Sequence, residues 1–421
     1  MSAFRDTLRV GFLLGWKQIR HASIWTTTLI IFIMMLTFLN LVAVSGILVG
    51  LIEGSVKTYE DQFTGNIFIT TPAGEKFIEQ SPTLIATLET IPGIASYTAR
   101  FTEGVTVEAN YRERRDPKAL RDAVGTTIVG FDPDIENDVT GLSDNIIEGS
   151  YLTNNDGGYV MLGANLLEQY SPLGNGDDVG YPTLSKVAPG SRIRVTMGDA
   201  TKEYIVKGIL KTKVDEISRR IFVTKNEFIS ISGRTNLNMN EIAIRADEST
   251  DPARIKQALL ASGAGETALV RLSREGLPQF LLDMINTFAM LGNGISSVGL
   301  IVSSITIFIV IFVNAITRRK YIGILKGIGV SASAIELSYV IQSLLYVAVG
   351  SVIALVLIYG LMVPFFNAHP INFPFSDGIL VAPISGTITK LIILVIATLL
   401  AGYIPARMIV KRNTLDAILG R

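Results

Sequence analysis

The chain of 421 residues has no cysteine, which excludes a disulfide framework and any thiolate metal or redox chemistry. Nothing matches G-x-x-x-x-G-K-[ST], so it holds no ATP in a P-loop. Charge is scarce as well, at 18% of residues against 48% hydrophobic and a mean hydropathy of +0.42, too apolar for an ordinary soluble protein of this length. The scarcity is uneven. Between Glu53 and Glu275 stand 32 Asp and Glu against 24 Lys and Arg, so the net charge of zero sums unlike parts, and a water-soluble domain is expected between membrane spans.

A helix needs about 20 mostly apolar residues to cross roughly 30 Å of hydrocarbon, where unpaired backbone groups cannot be left. Four segments qualify: 24–52, 288–316 with a polar lead-in from Pro278, 337–366 and 384–404. The first is longer than the 7–15 residues, about, of a signal-peptide core, and no small-residue cleavage pattern closes it, so it is expected to be retained. Its surplus, running into Glu53 and Lys57, predicts a helical stalk, and the lead-in at 278 a second one.

Arg5, Arg9, Lys17 and Arg20 precede the first span; Arg318, Arg319, Lys320 and Lys326 follow the second; Arg407, Lys411, Arg412 and Arg421 follow the fourth. Cations near spans stay cytoplasmic, which puts 1–23, 317–336 and 405–421 inside, and 53–277 and 367–383 outside, in a multi-pass protein of the cytoplasmic membrane. Lys390 is the exception, expected to snorkel to the outer interface. His21 and His369, the only histidines, then fall on opposite sides, which excludes a His-based zinc site or nucleophilic catalysis. Asp283 and Glu336 lie at span ends, so no ion relay is evident, and transport would be powered by another subunit.

In the outer region two stretches read as βαβ. One is Asn66-Ile-Phe-Ile-Thr, a helix opening at Ser81-Pro82, and a strand ending Val105-Thr-Val; the other is Glu241-Ile-Ala-Ile-Arg, a helix opening at Asp251-Pro252, and Thr267-Ala-Leu-Val-Arg. Ser81 and Asp251 are expected N-caps, with Pro where its missing N–H costs nothing. The fold class expected is four transmembrane helices plus a large extracytoplasmic α+β domain. In it a split βαβ subdomain, 60–124 with 227–275, receives a mostly-β insert, 125–226. Alternation in Arg192-Ile-Arg-Val-Thr and Glu203-Tyr-Ile-Val-Lys marks half-buried strands of that insert. Asp132, Asp134, Glu136 and Asp138 alternate, but Asn137 stands where an EF-hand needs glycine, and a solvated turn is expected rather than a calcium site.

After the second span comes Thr317-Arg-Arg-Lys-Tyr-Ile-Gly-Ile-Leu-Lys-Gly-Ile-Gly-Val-Ser331, a short basic amphipathic segment ending in a possible helix cap. Charge alone allows a simple positive-inside anchor. The run from Arg319 to Ser331, however, resembles the R-x-x-I-G-I-L-K-A-x-G-x-S signature of the FtsX-like permease domain, shared by MacB-type exporters and lipoprotein-releasing LolC/LolE-type permeases. Gly130-Phe-Asp-Pro, Ile147-Glu-Gly-Ser-Tyr-Leu, Val160-Met-Leu-Gly-Ala-Asn-Leu, Pro189-Gly-Ser-Arg-Ile-Arg-Val, Tyr403-Ile-Pro-Ala-Arg and Leu415-Asp-Ala-Ile-Leu agree with that family in order.

The resemblance implies a mechanotransmission ABC permease that is no enzyme itself. A separate ATPase subunit binds ATP, and two permeases, identical or paralogous, carry its motion outward for export or for lipid or lipoprotein release, with or without a periplasmic adaptor. No cofactor, metal or nucleic acid is implied. Arg319, Ile322, Gly323, Ile324, Leu325, Lys326 and Gly329 would form the coupling helix that docks on the ATPase. Many members carry a Glu early in the third span where this chain reads Ile341-Gln342-Ser343. Gly292, Gly294, Ser297 and Gly299, with Gly350 and Ser351 in the third span, allow close helix packing in lipid, either at a dimer seam or within one subunit. The resemblance also leaves open an FtsX-like signalling protein that activates a cell-wall hydrolase, although that group has a much smaller outer domain. A membrane-bound enzyme has no nucleophile–base constellation to rest on.

Overall fold

The computed structural model describes residues 2–20, 23–113, 121–171, 182–369, 371–373, 376–378 and 380–411. His21, Arg412, Arg421 and the stretch 415–419 lie outside the described residues, as does the side chain of Arg5. The chain divides into two compact units, a helical bundle (Met1–Glu53, Phe280–Asn372, Asp377–Arg421) and an α+β domain (Gly54–Gln279, Phe373–Ser376).

The N-terminal segment is a helix, α1 (Ser2–Arg20), followed by α2 (Ile24–Tyr59), which a π turn extends to Thr64. Those 41 residues make a helix of about 60 Å, about twice the thickness of a bilayer's hydrocarbon core.

The α+β domain follows. Its elements are β1 (Ile67–Thr70), α3 (Ser81–Leu88), β2 (Ile94–Glu108), β3 (Ala123–Phe131), α4 (Pro133–Thr140), β4 (Ile146–Gly149), β5 (Tyr159–Gly163), β6 (Arg192–Met197) and β7 (Ala200–Leu210). After them come α5 (Asp215–Ser218), β8 (Arg220–Thr224), α6 (Lys225–Ser232), β9 (Glu241–Ala246), α7 (Pro252–Ala261), α8 (Ala264–Thr267) and β10 (Leu269–Leu272). The two βαβ units interlock. The sheet order is β10-β1-β9-β2 with every neighbour antiparallel, so each unit's parallel pair is separated by a strand of the other. Ile67, Ile69, Ile242 and Ile244 on the strands meet Leu84, Leu88, Ile255 and Leu259 on α3 and α7 in one buried core.

The insert is a closed barrel. Hydrogen-bonded pairs run β2-β3-β8-β5-β7-β6 and return to β2, leaving β4 on β7 as an outside strand. Closure removes the edges an open sheet would expose. Its core includes Phe101, Val107, Ile128, Leu162, Val195, Tyr204, Ile221 and Phe228, with Phe101 stacked on Phe228 at 5.6 Å. The border expected near 125 falls instead inside β2, whose residues 94–100 pair with β9 and 101–108 with β3. A single strand therefore belongs to both subdomains.

The caps differ as well. Asp251 accepts the Ala253 N–H at 2.9 Å and caps α7, whereas Ser81 is buried and its Oγ accepts the Met239 N–H at 2.8 Å, so it ties down a neighbouring segment instead of its own helix. The acidic run at 132–138 is not a solvated turn. Asp132 caps α4, and the helical period turns Glu136 into the interior. Among the described residues no group of three or more His, Asp or Glu is placed to hold a metal.

The bundle continues with α9 (Gln279–Thr317), α10 (Arg319–Gly327), α11 (Ala332–Leu357), α12 (Val363–Ala368) and α13 (Ile384–Val410); in sequence, two short paired strands, Ile371–Phe373 and Ser376–Gly378, fall between α12 and α13. Among the described residues, four helices are long and apolar enough to span a membrane. The fourth runs past 404 through Pro405 to Val410. α11 lies at the bundle's centre, with Ser338, Tyr339, Gln342, Ser343, Tyr346, Val347, Gly350 and Ala354 buried in a helical stripe. Glycines set the contacts. A Cβ on Gly350 would come within 2.7 Å of Met34 Cβ, and one on Gly402 within 2.6 Å of Ser343 Oγ. Lys390 does not simply rise to the interface, since its ammonium donates to Ser45 Oγ on α2.

Candidate functional site

The segment expected to couple is built as a helix and a reversal. α10 ends where Gly329, at φ +95°, lets Val330 donate to the Leu325 carbonyl at 3.0 Å, a left-handed position glycine takes without steric cost. Ser331 then caps α11 by accepting the Ala334 N–H at 3.3 Å, so α10 and α11 are joined by one short turn.

The seven residues expected to couple do not share a face. Ile322 and Gly323 are buried, Ile322 in the same core cluster as Ile409 and Val410 at the end of α13, and Leu325 packs partly against that cluster. Lys326 donates to the Val410 carbonyl at 3.0 Å. Arg319 is half-buried, and Gly329 makes the turn. Of the seven, Ile324 alone offers an exposed apolar side chain, because a nine-residue helix cannot turn 322 and 324 the same way. Beside it stand two residues the motif did not single out, Tyr321 and Ile328, 68% and 73% exposed. The spacing 321, 324, 328 is one helical face, a signal readable once 322 is known to be inside.

The small residues of α9 divide in the same way. Gly292 closes on Leu48, and a Cβ on Gly299 would come 3.2 Å from Asn40 Oδ1, so both serve packing against α2 of the same chain. Gly294 meets nothing within 4 Å, and Ser297 is exposed with its hydroxyl on the Asn293 carbonyl at 2.8 Å. Gln342 is buried and donates to the Tyr346 hydroxyl at 2.7 Å.

A second constellation, which sequence reasoning missed, lies where the stalk enters the α+β domain. Arg100, opposite Glu241 at the border of the two sheets, is 2% exposed. Its guanidinium donates to Glu136 at 2.6 and 2.9 Å and to the Phe63 carbonyl at 2.7 Å. Glu241 is shared, accepting from Arg220 at 2.9 Å and lying 3.5 Å from Arg100. Both guanidinium groups lie over the Phe63 ring, at 5.1 and 5.0 Å. Around this quartet, Tyr59 donates to Glu216 at 2.5 Å, Thr64 bonds Ser273 at 2.8 Å, and Arg245 donates to the Val139 carbonyl at 2.8 Å. Burial would raise the Glu241 carboxyl, but Arg220 and then Arg100 outweigh it and hold it below the usual range. Burial, then Glu216, pushes the Tyr59 phenol up, keeping it a neutral donor. The end of α2 is thus fastened to both sheets by this ion-pair cluster and the hydrogen bonds around it.

Residues 293–414 match the model of the FtsX-like permease C-terminal family. The chain carries an FtsX-like permease domain. That stretch is permease-like, and four of the described helices are long and apolar enough to cross a membrane. Among solved structures it is similar to the periplasmic region of MacB from Actinobacillus actinomycetemcomitans, at 16% identity over 50% of this chain and 90% of that one with a TM-score of 0.33. It is also similar to the extracellular domain of the noncanonic ABC-type transporter YknZ from Gram-positive bacteria, at 16% over 49% and 98% with a TM-score of 0.30. No curated protein matches. The assignment rests on the permease-domain match, which covers α10 and the last two spans and most of the second.

Proposed function

We propose that this permease passes the motion of a separate ATPase subunit to its α+β domain, for export or for release of lipid or lipoprotein from the outer leaflet. The observation that carries this is α10: one face is fastened to α13, and the other offers Tyr321, Ile324 and Ile328 with exposed Lys320 at its margin. An apolar patch with a cationic rim, at the basic end of the bundle, suits a groove on a protein partner. In this reading α10 and both termini are cytoplasmic, ATP is bound by the partner, and the α+β domain is extracytoplasmic. Force reaches that domain along α2, whose last turns hold the quartet around Phe63. A second copy, or a paralogue, would pack on the free side of α9, where Gly294, Val298, Ile301 and Ile305 are open.

The test is Ile324→Asp, alone and with Tyr321→Asp, in the chain co-expressed with the ATPase from its own gene neighbourhood. Loss of co-purification and of permease-stimulated ATP hydrolysis is expected; an unchanged complex would overturn the reading. A cell-wall hydrolase retained by the α+β domain would favour signalling over transport.

A further inference from the structure

We propose that α1 is an interfacial helix that binds anionic lipid and holds the first turns of α11 at the membrane surface. Its inner face is set by two glycines one turn apart. A Cβ on Gly11 would lie 2.9 Å from Leu337 Cδ2 and one on Gly15 2.9 Å from the Ser338 carbonyl oxygen, so α1 closes directly on the start of a membrane-spanning helix. That contact sets its level where the span leaves the hydrocarbon.

The opposite side carries Phe12, Leu13 and Trp16, each more than half exposed, with Arg9, Lys17 and Arg20 exposed around them. Water does not suit three adjacent large apolar side chains, and hydrocarbon does not suit three cations; the mixture fits the headgroup boundary, where stems lie along acyl chains and charges reach the phosphates. Continuity points the same way, since Trp25, on the first turn of α2, is 84% exposed at a position where aromatic residues mark the interface. Asp6 is the one acid of α1, a turn before Arg9; none follows it up to Arg20, and lipid phosphate is the counter-charge we assign to this cationic stretch. Because α11 begins at the turn that ends α10, the lipid held by α1 also steadies the segment between them.

The chain has two tryptophans, which makes the test direct. Full-length Trp25→Phe protein, leaving Trp16, is reconstituted into phosphatidylcholine vesicles containing equal small fractions of brominated phosphatidylglycerol or brominated phosphatidylcholine. Each cation near a surface favours anionic lipid by roughly fivefold, so quenching should show at least about fivefold enrichment of the brominated anionic lipid at Trp16, lost in Arg9→Gln/Lys17→Gln/Arg20→Gln. Trp16→Phe protein, quenched through Trp25, establishes insertion. Equal quenching by the two lipids would overturn the proposal, as would a Trp16 quenched by aqueous iodide and untouched by brominated lipid. Neither outcome depends on the ATPase.

Discussion

The bundle and the α+β domain solve burial in opposite ways. In the bundle, apolar side chains such as Val298, Ile305 and Ile396 cover the outside, while the centre of α11 is Ser, Gln, Tyr and Gly. Lipid supplies no hydrophobic drive between helices, so small residues and modest hydrogen bonds decide what touches. The α+β domain has the ordinary apolar core, yet at its border with the stalk it buries Arg100 and Glu136 and shares Glu241 with Arg220. Charge is kept out of one interior and concentrated at one point of the other. That point is where the stalk joins, and there a paired charge gives direction that an apolar contact lacks.

Breaking this comparison should cost most at the quartet. Arg100→Met leaves Glu136 and part of Glu241 buried without a cation, and should destabilise the domain by about 3–5 kcal/mol, seen as an early first transition when the full chain is unfolded in detergent. Acid probes the same place. Because Glu241 is held below its unfolded pKa, its contribution is complete above the usual carboxylate range, near pH 4.3, about, and is lost as the pH falls through the lower folded value. The domain transition should therefore fall on acidification below that range while the bundle transition, with no such buried pair among its described residues, stays in place; parallel movement of both would remove the distinction.

Next comes Gly350→Leu, which forces a side chain into Met34 and should cost the bundle about 1–3 kcal/mol without moving the domain transition. Asp251→Ala removes the α7 cap, for about 1 kcal/mol in the domain alone. Gln342→Leu should be smallest, about 0.6 kcal/mol, because a hydrogen bond between neighbours on one span is readily replaced in lipid. A larger effect than Gly350→Leu would show that polar contacts, not small residues, organise the bundle.

Much of the architecture was legible because its cause is local. Ile24 onward, Ala332 onward and Ile384 onward are apolar for longer than any soluble helix face allows, and Asp251-Pro252 announces a helix by the chemistry of its first turn. The segment expected to couple was legible as a motif, not as a surface. Its spacing identified α10, but which side is free depended on α13 covering Ile322 and Lys326, a contact made 84 residues away. The acidic run at 132–138 misled for the same reason, since alternation of charge says nothing about Arg100 until β2 brings it alongside α4.

Sequence by itself determined the spans, the polar domain between them, the two βαβ units and the basic loop, because hydropathy, caps and charge bias act within a turn or two of the residues that carry them. Tertiary structure decided the closure of the barrel, the passage of β2 through both sheets, the exposed face Tyr321–Ile324–Ile328 and the charge quartet on Phe63. Those depend on which distant strand or helix arrives beside a residue, and burial of a charge such as Arg100 is tolerable only once its partners from 36 and 141 positions along the chain are in place.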